Sequence, residues 1–366
     1  MKIKIATYSN PETSIISKSK KILTDFLFDF DFTFTDNDAD VIFFASGGSE
    51  QDALDSFSRT TGTIILLANS RGNSYAAATE ALSYLIDNGI KAHLINIEEE
   101  KAKEDFQIAF KEKTTGKLKG KKVALIGEVS DWLINSKVEE KSIQKIFGID
   151  LIHLPWNKLP DYRTLDIDET FINNFDNINR NDLLETSKVY RLLKNIIYEY
   201  RLSGFSIECF PMAKSHKTTA CLPLALINAE GITASCEGDL TSLIGMMYIK
   251  ELTGKIPWQA NLAGINGNKV LWAHCTAPLN MLNEINITTH YETNSGTAIQ
   301  GKIKGEECNI FRFNKTLTKQ FYCKGKIIAT PKHNFACRTQ IETILPNECI
   351  NLLRNNPLGN HHLIWI

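Results

Sequence analysis

Asp40-Val41-Ile42-Phe43-Phe44-Ala45 and Thr63-Ile64-Ile65-Leu66-Leu67-Ala68 are almost uninterruptedly apolar. A strand with one wet face alternates polar and apolar residues. A strand covered on both faces need not alternate, and runs of this length and composition predict a parallel sheet between two helical layers. Working outward, Lys2–Tyr8 reads as a preceding strand, Ser14–Leu27 as a helix, Tyr75–Asn88 as a helix stopped at Gly89, and Lys91–Ile97 as a further strand. The first segment is therefore a doubly wound α/β unit. The turn Gly47-Gly48-Ser49 lacks the spacing of either phosphate-binding glycine motif and reads as a tight strand–helix connection.

Gly116–Gly120 is a short Gly/Lys linker. Beyond it Lys122–Gly127 and Leu151–Leu154 open a second α/β unit. Asp168–Arg201 is polar and helix-prone, Phe205–Phe210 and Ile232–Cys236 are strand candidates, and Thr218–Asn228 and Leu240–Leu252 are helix candidates. From about Lys255 the chain is rich in Thr, Ile, Phe and Tyr with Gly and Asn turns, which reads as mostly β. The expected organisation is α/β: two doubly wound α/β domains, residues 1–118 and 119–255, followed by a β-rich C-terminal domain, 256–366. A chain of 366 residues is long enough for two or three cores.

With 23% charged residues and a formal net charge of −1, the chain offers no electrostatic reason to expect nucleic acid or an anionic membrane as partner. No apolar run approaches the ~20 residues that cross a bilayer. The N-terminus is charged and alternating, without the apolar stretch of a secretion signal. The eight cysteines are Cys209, Cys221, Cys236, Cys275, Cys308, Cys323, Cys337 and Cys349, so none lies in the first half of the chain and none forms a CxxC pair. A disulfide framework would not be so uneven. All eight are expected as free thiols in a reducing, cytoplasmic setting, with no structural zinc.

Four stretches can carry chemistry. In Ala234-Ser235-Cys236-Glu237-Gly238-Asp239-Leu240, an apolar strand runs into a helix. Ligands in open α/β sheets bind beyond the carboxyl ends of strands, where Glu237 falls. Asp239 is placed to cap the helix. The second stretch is Pro257–Leu262 with Asn261, and the third Val270–Pro278 with His274, which follows an apolar strand and, taken alone, reads more readily as a hydrogen-bonded core histidine than as a ligand. In the fourth, Gly359–Ile366, His361 and His362 head a strand, so they point to opposite faces and at most one enters a given pocket. A Glu, an amide and imidazoles at strand ends suit a divalent cation. His290 and Glu292 form a further pair, read as sharing one face of a strand.

With these stretches, Thr219-Ala220-Cys221, Leu252-Thr253-Gly254, His290-Tyr291-Glu292 with Gly296, and Gln300-Gly301 lie in the order and spacing of one family. Over about residues 205–366 the chain resembles the fucose isomerase/arabinose isomerase superfamily, especially its short fucose isomerase-like branch. The first 200 residues match only in their α/β character. The resemblance implies two α/β domains followed by a β-rich one, and interconversion of an aldose and a ketose with manganese or a similar ion. It implies metal ligation by Glu237, Asn261, His274 and either His361 or His362, of which His361 is preferred, with Glu237 and Asn261 catalytic. Sugar contacts fall to His290, Glu292, Asp239 and His362. It further implies a homo-oligomer, trimer or hexamer, whose cleft a neighbour completes, in relatives expected to run on beyond Ile366. Asn261 departs from the catalytic branches, which carry Asp or Glu there. That departure leaves a non-catalytic sugar-binding paralogue as the second reading. A metal-dependent epimerase or lyase on a sugar acid is the third, and would call on Arg312 or Arg338 for the acid.

Overall fold

The computed structural model describes residues 1–8, 12–28, 30, 32–57, 62–175 and 180–366. The chain forms two compact units, Met1–Lys119 with Glu251–Thr253, and Gly120–Lys250 with Gly254–Ile366. Among the described residues no helix is long and apolar enough to cross a membrane.

The first unit is built on five parallel strands: β1 (Lys2–Ala6), β2 (Thr33–Phe34), β3 (Val41–Phe44), β4 (Ile64–Ala68) and β5 (Ala92–Asn96), in the order β2-β1-β3-β4-β5. The two apolar runs are β3 and β4, buried at every position. Alternate residues serve opposite layers. Ile42, Phe44, Leu66 and Ala68 join Ala77, Ala78 and Leu85 of the helix Ser74–Asp87 on one face. Val41, Phe43, Ile65 and Leu67 meet Phe106, Ala109 and Phe110 of the helix Ala102–Gly116 on the other. Each such side chain contributes ~1.5–3 kcal/mol by leaving water, so a polar residue at any of these positions would cost one face its core.

The second unit begins with four parallel strands, β6 (Lys122–Ile126), β7 (Asp150–Leu154), β8 (Gly204–Ile207) and β9 (Thr233–Cys236), ordered β7-β6-β8-β9. The helix-prone stretch before β8 resolves into a short helix, Glu169–Ile172, and a long one, Arg180–Tyr200, with residues 176–179 outside the described ones. After β9 the helix Leu240–Thr253 starts on Asp239, whose carboxylate accepts from Ser242 N at 2.8 Å, and stops at Gly254 with φ 75°.

The β-rich part contains β10 (Trp258–Asn266), β11 (Lys269–His274), β12 (Leu282–Thr288), β13 (Ala298–Ile303), β14 (Glu307–Phe313), β15 (Gln320–Ala329), β16 (Thr339–Ile344) and β17 (His361–Trp365). β12 and β13 pair as a ribbon, and the other six close a barrel in the order β10-β11-β16-β15-β14-β17. Closure rests on β17, which pairs antiparallel with β10 on one side and β14 on the other. Ala124, Ile126 and Phe205 of the sheet share one core with Trp258, Trp272, Ile310 and Ile364 of the barrel, so the two parts expected as separate domains belong to one unit. The helix Leu240–Thr253 joins them: at Gly245 a Cβ would come within 2.6 Å of Leu363 Cδ1, so any larger residue there would have to displace the Leu363 side chain of β17.

One expectation about the cysteines is corrected. Cys323 on β15 and Cys349 on the helix Asn347–Asn355 form a disulfide, with Cα atoms 6.3 Å apart, while the other six cysteines are free and buried. The helix lays its buried side on the barrel core, which brings the two thiols together. A single bridge makes no framework, so the uneven spread of the cysteines does not oppose it.

Candidate metal centre

In the second sheet the strand order turns between β6 and β8, which opens a crevice at the carboxyl ends of the strands. The segments leaving β6, β8 and β9 all meet there. Glu237, directly after β9, has φ 64°, and Gly238 has φ 67°. Holding a non-glycine residue in this left-handed conformation costs ~1–3 kcal/mol and needs support. Support comes from Ser130 N donating to Glu237 O at 3.0 Å and Gly238 N donating to Ile207 O at 3.0 Å. Gly238 is itself obligatory, since a Cβ would fall 2.2 Å from Glu128 O. The sharp turn lifts Glu237 off the strand and aims its carboxylate into the crevice.

Two histidines converge on it. His274, the last residue of β11, places Nε2 3.5 Å from Glu237 Oε1, with Nδ1 2.9 Å from Thr276 Oγ1. His361, the first residue of β17, places Nε2 3.6 Å from the same oxygen, with Nδ1 2.8 Å from Asp239 Oδ2. A ligand atom from each of Glu237, His274 and His361 lies within 4.8 Å of the others, and all three residues are buried. His361 Nδ1 also lies 3.0 Å from Gln259 Nε2, and its contacts with Asp239 and Gln259 fix the ring's orientation.

The electrostatics match a cation site. Burial pushes the Glu237 carboxyl up. The charges of His361 and His274 beside it outweigh that and hold it well below the ordinary range. Burial pushes His361 down, but Glu237 and Asp239 raise it to about 9. Yet His361 Nε2 is a buried nitrogen without a hydrogen-bond partner. A carboxylate and two imidazoles, one ring steadied from behind by a second carboxylate and one nitrogen left orphaned, fit a hard or borderline divalent ion.

The remaining sequence candidates fall in different places. Asn261 stands on β10 directly opposite His361 and Ala273. Its Oδ1 accepts from Asn360 Nδ2 at 2.6 Å and its Nδ2 is 3.9 Å from Cys337 Sγ. Asp239, expected among the sugar contacts, is fully buried. Oδ1 caps the helix, and Oδ2 accepts from Ser242 Oγ and His361. That leaves it the role of cap and ring-orienter. His362, expected likewise, faces the other way, as strand alternation requires. It lies buried between Trp272 and Phe321, ring centroids 5.1 and 5.4 Å away, with burial and then the Arg312 charge lowering it to about 3. His290 and Glu292 do pair, at 3.7 Å, but across the turn after β12 rather than along a strand face. Arg312 is buried, donating to Leu358 O, His361 O and Ser136 Oγ, and Arg338 donates to Thr289 O and Oγ1.

Two residues at the site are absent from the sequence reading. Gln259 Oε1 accepts from Cys236 N at 2.8 Å, tying β10 to the backbone just before Glu237. Trp132, in the segment after β6, donates from Nε1 to Glu237 Oε2 at 2.6 Å. The available signal was its position: the crevice rule that singled out Glu237 applies equally to the segment after β6. With Oε2 engaged by the indole, Oε1 is the oxygen offered to the histidines. Trp132→Phe keeps the ring and removes the donor. It is expected to weaken Mn2+ binding ~10–100-fold, the usual cost of losing an outer-sphere partner. Titration of Mn2+ by electron paramagnetic resonance checks this, and unaltered affinity would show the indole to be mere packing.

No protein-family model matches the chain. It is 24% identical over 212 residues to the sulfoquinovose isomerases of Priestia aryabhattai and of Priestia megaterium. The matched region is 53% of this chain and 48% of each relative, so the chain spans about half the length of the curated relatives it matches. The likeness is to sugar isomerases, at a distance that carries no substrate with it.

Proposed function

We propose that the chain is a metal-dependent aldose–ketose isomerase, related to fucose and arabinose isomerases and acting on a deoxy- or pentose sugar. The observation that carries this reading is the buried convergence of Glu237, His274 and His361 on one point, in a chain similar to sugar isomerases. Those three residues would hold the ion; the donor set admits several first-row divalent ions, and Mn2+ is proposed from the resemblance to fucose and arabinose isomerases. When bound it supplies Lewis acidity, polarising the sugar carbonyl and offsetting the negative charge of an enediolate. Glu237, kept ionised, is placed to take the proton from carbon and return it. Asp239 holds the His361 ring in register. Asn261 has no proton to shuttle at neutral pH and serves as a polar contact beside His361. A homo-oligomer in the cytoplasm belongs to the same reading.

Asn261 also favours a second reading, a sugar-binding paralogue without turnover. The test is metal content of the purified protein together with turnover of L-fucose, L-arabinose, L-rhamnose and sulfoquinovose, for wild type and Asn261→Asp. The isomerase reading expects about one Mn2+ per chain, turnover of at least one sugar, and tighter metal in Asn261→Asp from the added charge. Metal and sugar binding without turnover in either protein would establish the paralogue instead.

A further inference from the structure

A ketol isomerisation moves two kinds of proton, one on carbon and one on oxygen. Glu237 can serve the first, and Asn261 cannot serve the second. From Glu237 a continuous wall of side chains leads to another carboxylate. Trp132, bonded to Glu237 Oε2, stands edge-on to Phe210 with ring centroids 4.6 Å apart. Phe210 in turn meets His290 at 5.4 Å, and His290 Nε2 lies 3.7 Å from Glu292 Oε2. His290 is buried, with Nδ1 3.1 Å from Thr293 Oγ1, whereas the Glu292 side chain is half-exposed beside it. Glu292 is thus steadied from one side and open on the other.

We infer that Glu292, backed by His290, is the oxygen-side acid of this site and takes over the duty that Asn261 cannot perform. The inference rests on the isomerase reading. In the aldose-to-ketose direction Glu237 takes the proton from C2, the C–H electron pair becomes the C1–C2 double bond, and the carbonyl oxygen at C1 takes the Glu292 proton. Glu292 then recovers a proton from the C2 hydroxyl as the ketone forms, while Glu237 returns its proton to C1. Both carboxyls end as they began, and no other reactant is consumed.

The electrostatics agree with this placement. Burial first, and then the Glu237 charge, raise the Glu292 carboxyl above its ordinary value, the direction an acid needs. The groups acting on it are Glu237, His274, Cys275 and His290, with Cys337 also within its reach and Arg338 over the adjacent Tyr291 ring.

The experiment uses the Mn2+-loaded full chain and whichever of the four sugars wild type turns over best. Glu292→Gln is expected to lower kcat by ~10²–10⁴-fold. KM and Mn2+ affinity should stay within about threefold, and Glu292→Asp should retain part of the rate. The acid works only while protonated, and the His290 charge lowers its titration. His290→Gln should therefore move the basic limb of the kcat profile to higher pH. A Glu292→Gln kcat within about threefold of wild type, a loss confined to KM, or an unmoved basic limb in His290→Gln would each overturn the inference while leaving the isomerase reading in place. A metal-loaded wild type that turns over none of the sugars would overturn both.

Discussion

Glu237→Gln is expected to abolish retention of a divalent cation while leaving the fold intact. Glu237 Oε1 is the atom on which His274 and His361 converge, at 3.5 and 3.6 Å, and Gln keeps the shape but loses the charge. Without it the site has only two neutral nitrogens to offset a double positive charge. The loss should therefore exceed the ~100-fold that removal of an outer-sphere partner costs. His361→Ala and His274→Ala should behave alike. Mn2+ stoichiometry after gel filtration, with far-ultraviolet circular dichroism as the fold control, decides the matter. Unchanged stoichiometry in all three variants would mean that the three side chains do not form a metal centre.

The second large effect is on stability. In the metal-free protein His361 titrates at about 9 instead of 6.5. A group whose titration is raised by folding stabilises fully below its unfolded value, and that stability disappears as pH rises through the folded one. Metal-free protein should thus lose on the order of 3 kcal/mol between pH 6.5 and about 9. Glu237 and Asp239, both lowered, act in the opposite sense: their contribution is present above the ordinary carboxylate range and is lost in acid. With saturating Mn2+ the alkaline loss should vanish, because ligation needs the neutral imidazole and affinity climbs as the proton leaves. Urea unfolding of wild type and His361→Asn at pH 6, 7.5 and 9, in chelator and in Mn2+, measures this. Equal slopes in the two metal-free proteins would exclude His361 as the cause.

Much of the fold could be read from residue patterns, because burial on two faces leaves continuous apolar runs: β3 and β4 fall within Asp40–Ala45 and Thr63–Ala68. The β character of the last third could be read too, but its closure could not. The pairing of β17 with β10 and β14 joins strands far apart in sequence, and no local pattern encodes it. At the site, Glu237 was placed by the strand-end rule and Asp239 by capping chemistry. His274 and His361 needed the ordered resemblance, since a lone histidine beside a strand has no signature of its own. Strand alternation separated His361 from His362, though it could not say that the latter would be sealed between Trp272 and Phe321. Trp132 lies outside the region of resemblance, and its contact with Glu237 spans 105 residues of chain.

The barrel's closing strand also sets an order of events. During synthesis β10 and β11 emerge early with Asn261 and His274, and Glu237 precedes them, but His361 sits on the strand that shuts the cylinder. Until that strand leaves the ribosome, β10 and β14 are open edges and the third ligand does not exist. If Glu237, His274 and His361 hold an ion, a nascent chain lacks the complete set until then. Completion of that set of side chains and covering of the open edges then coincide in one step.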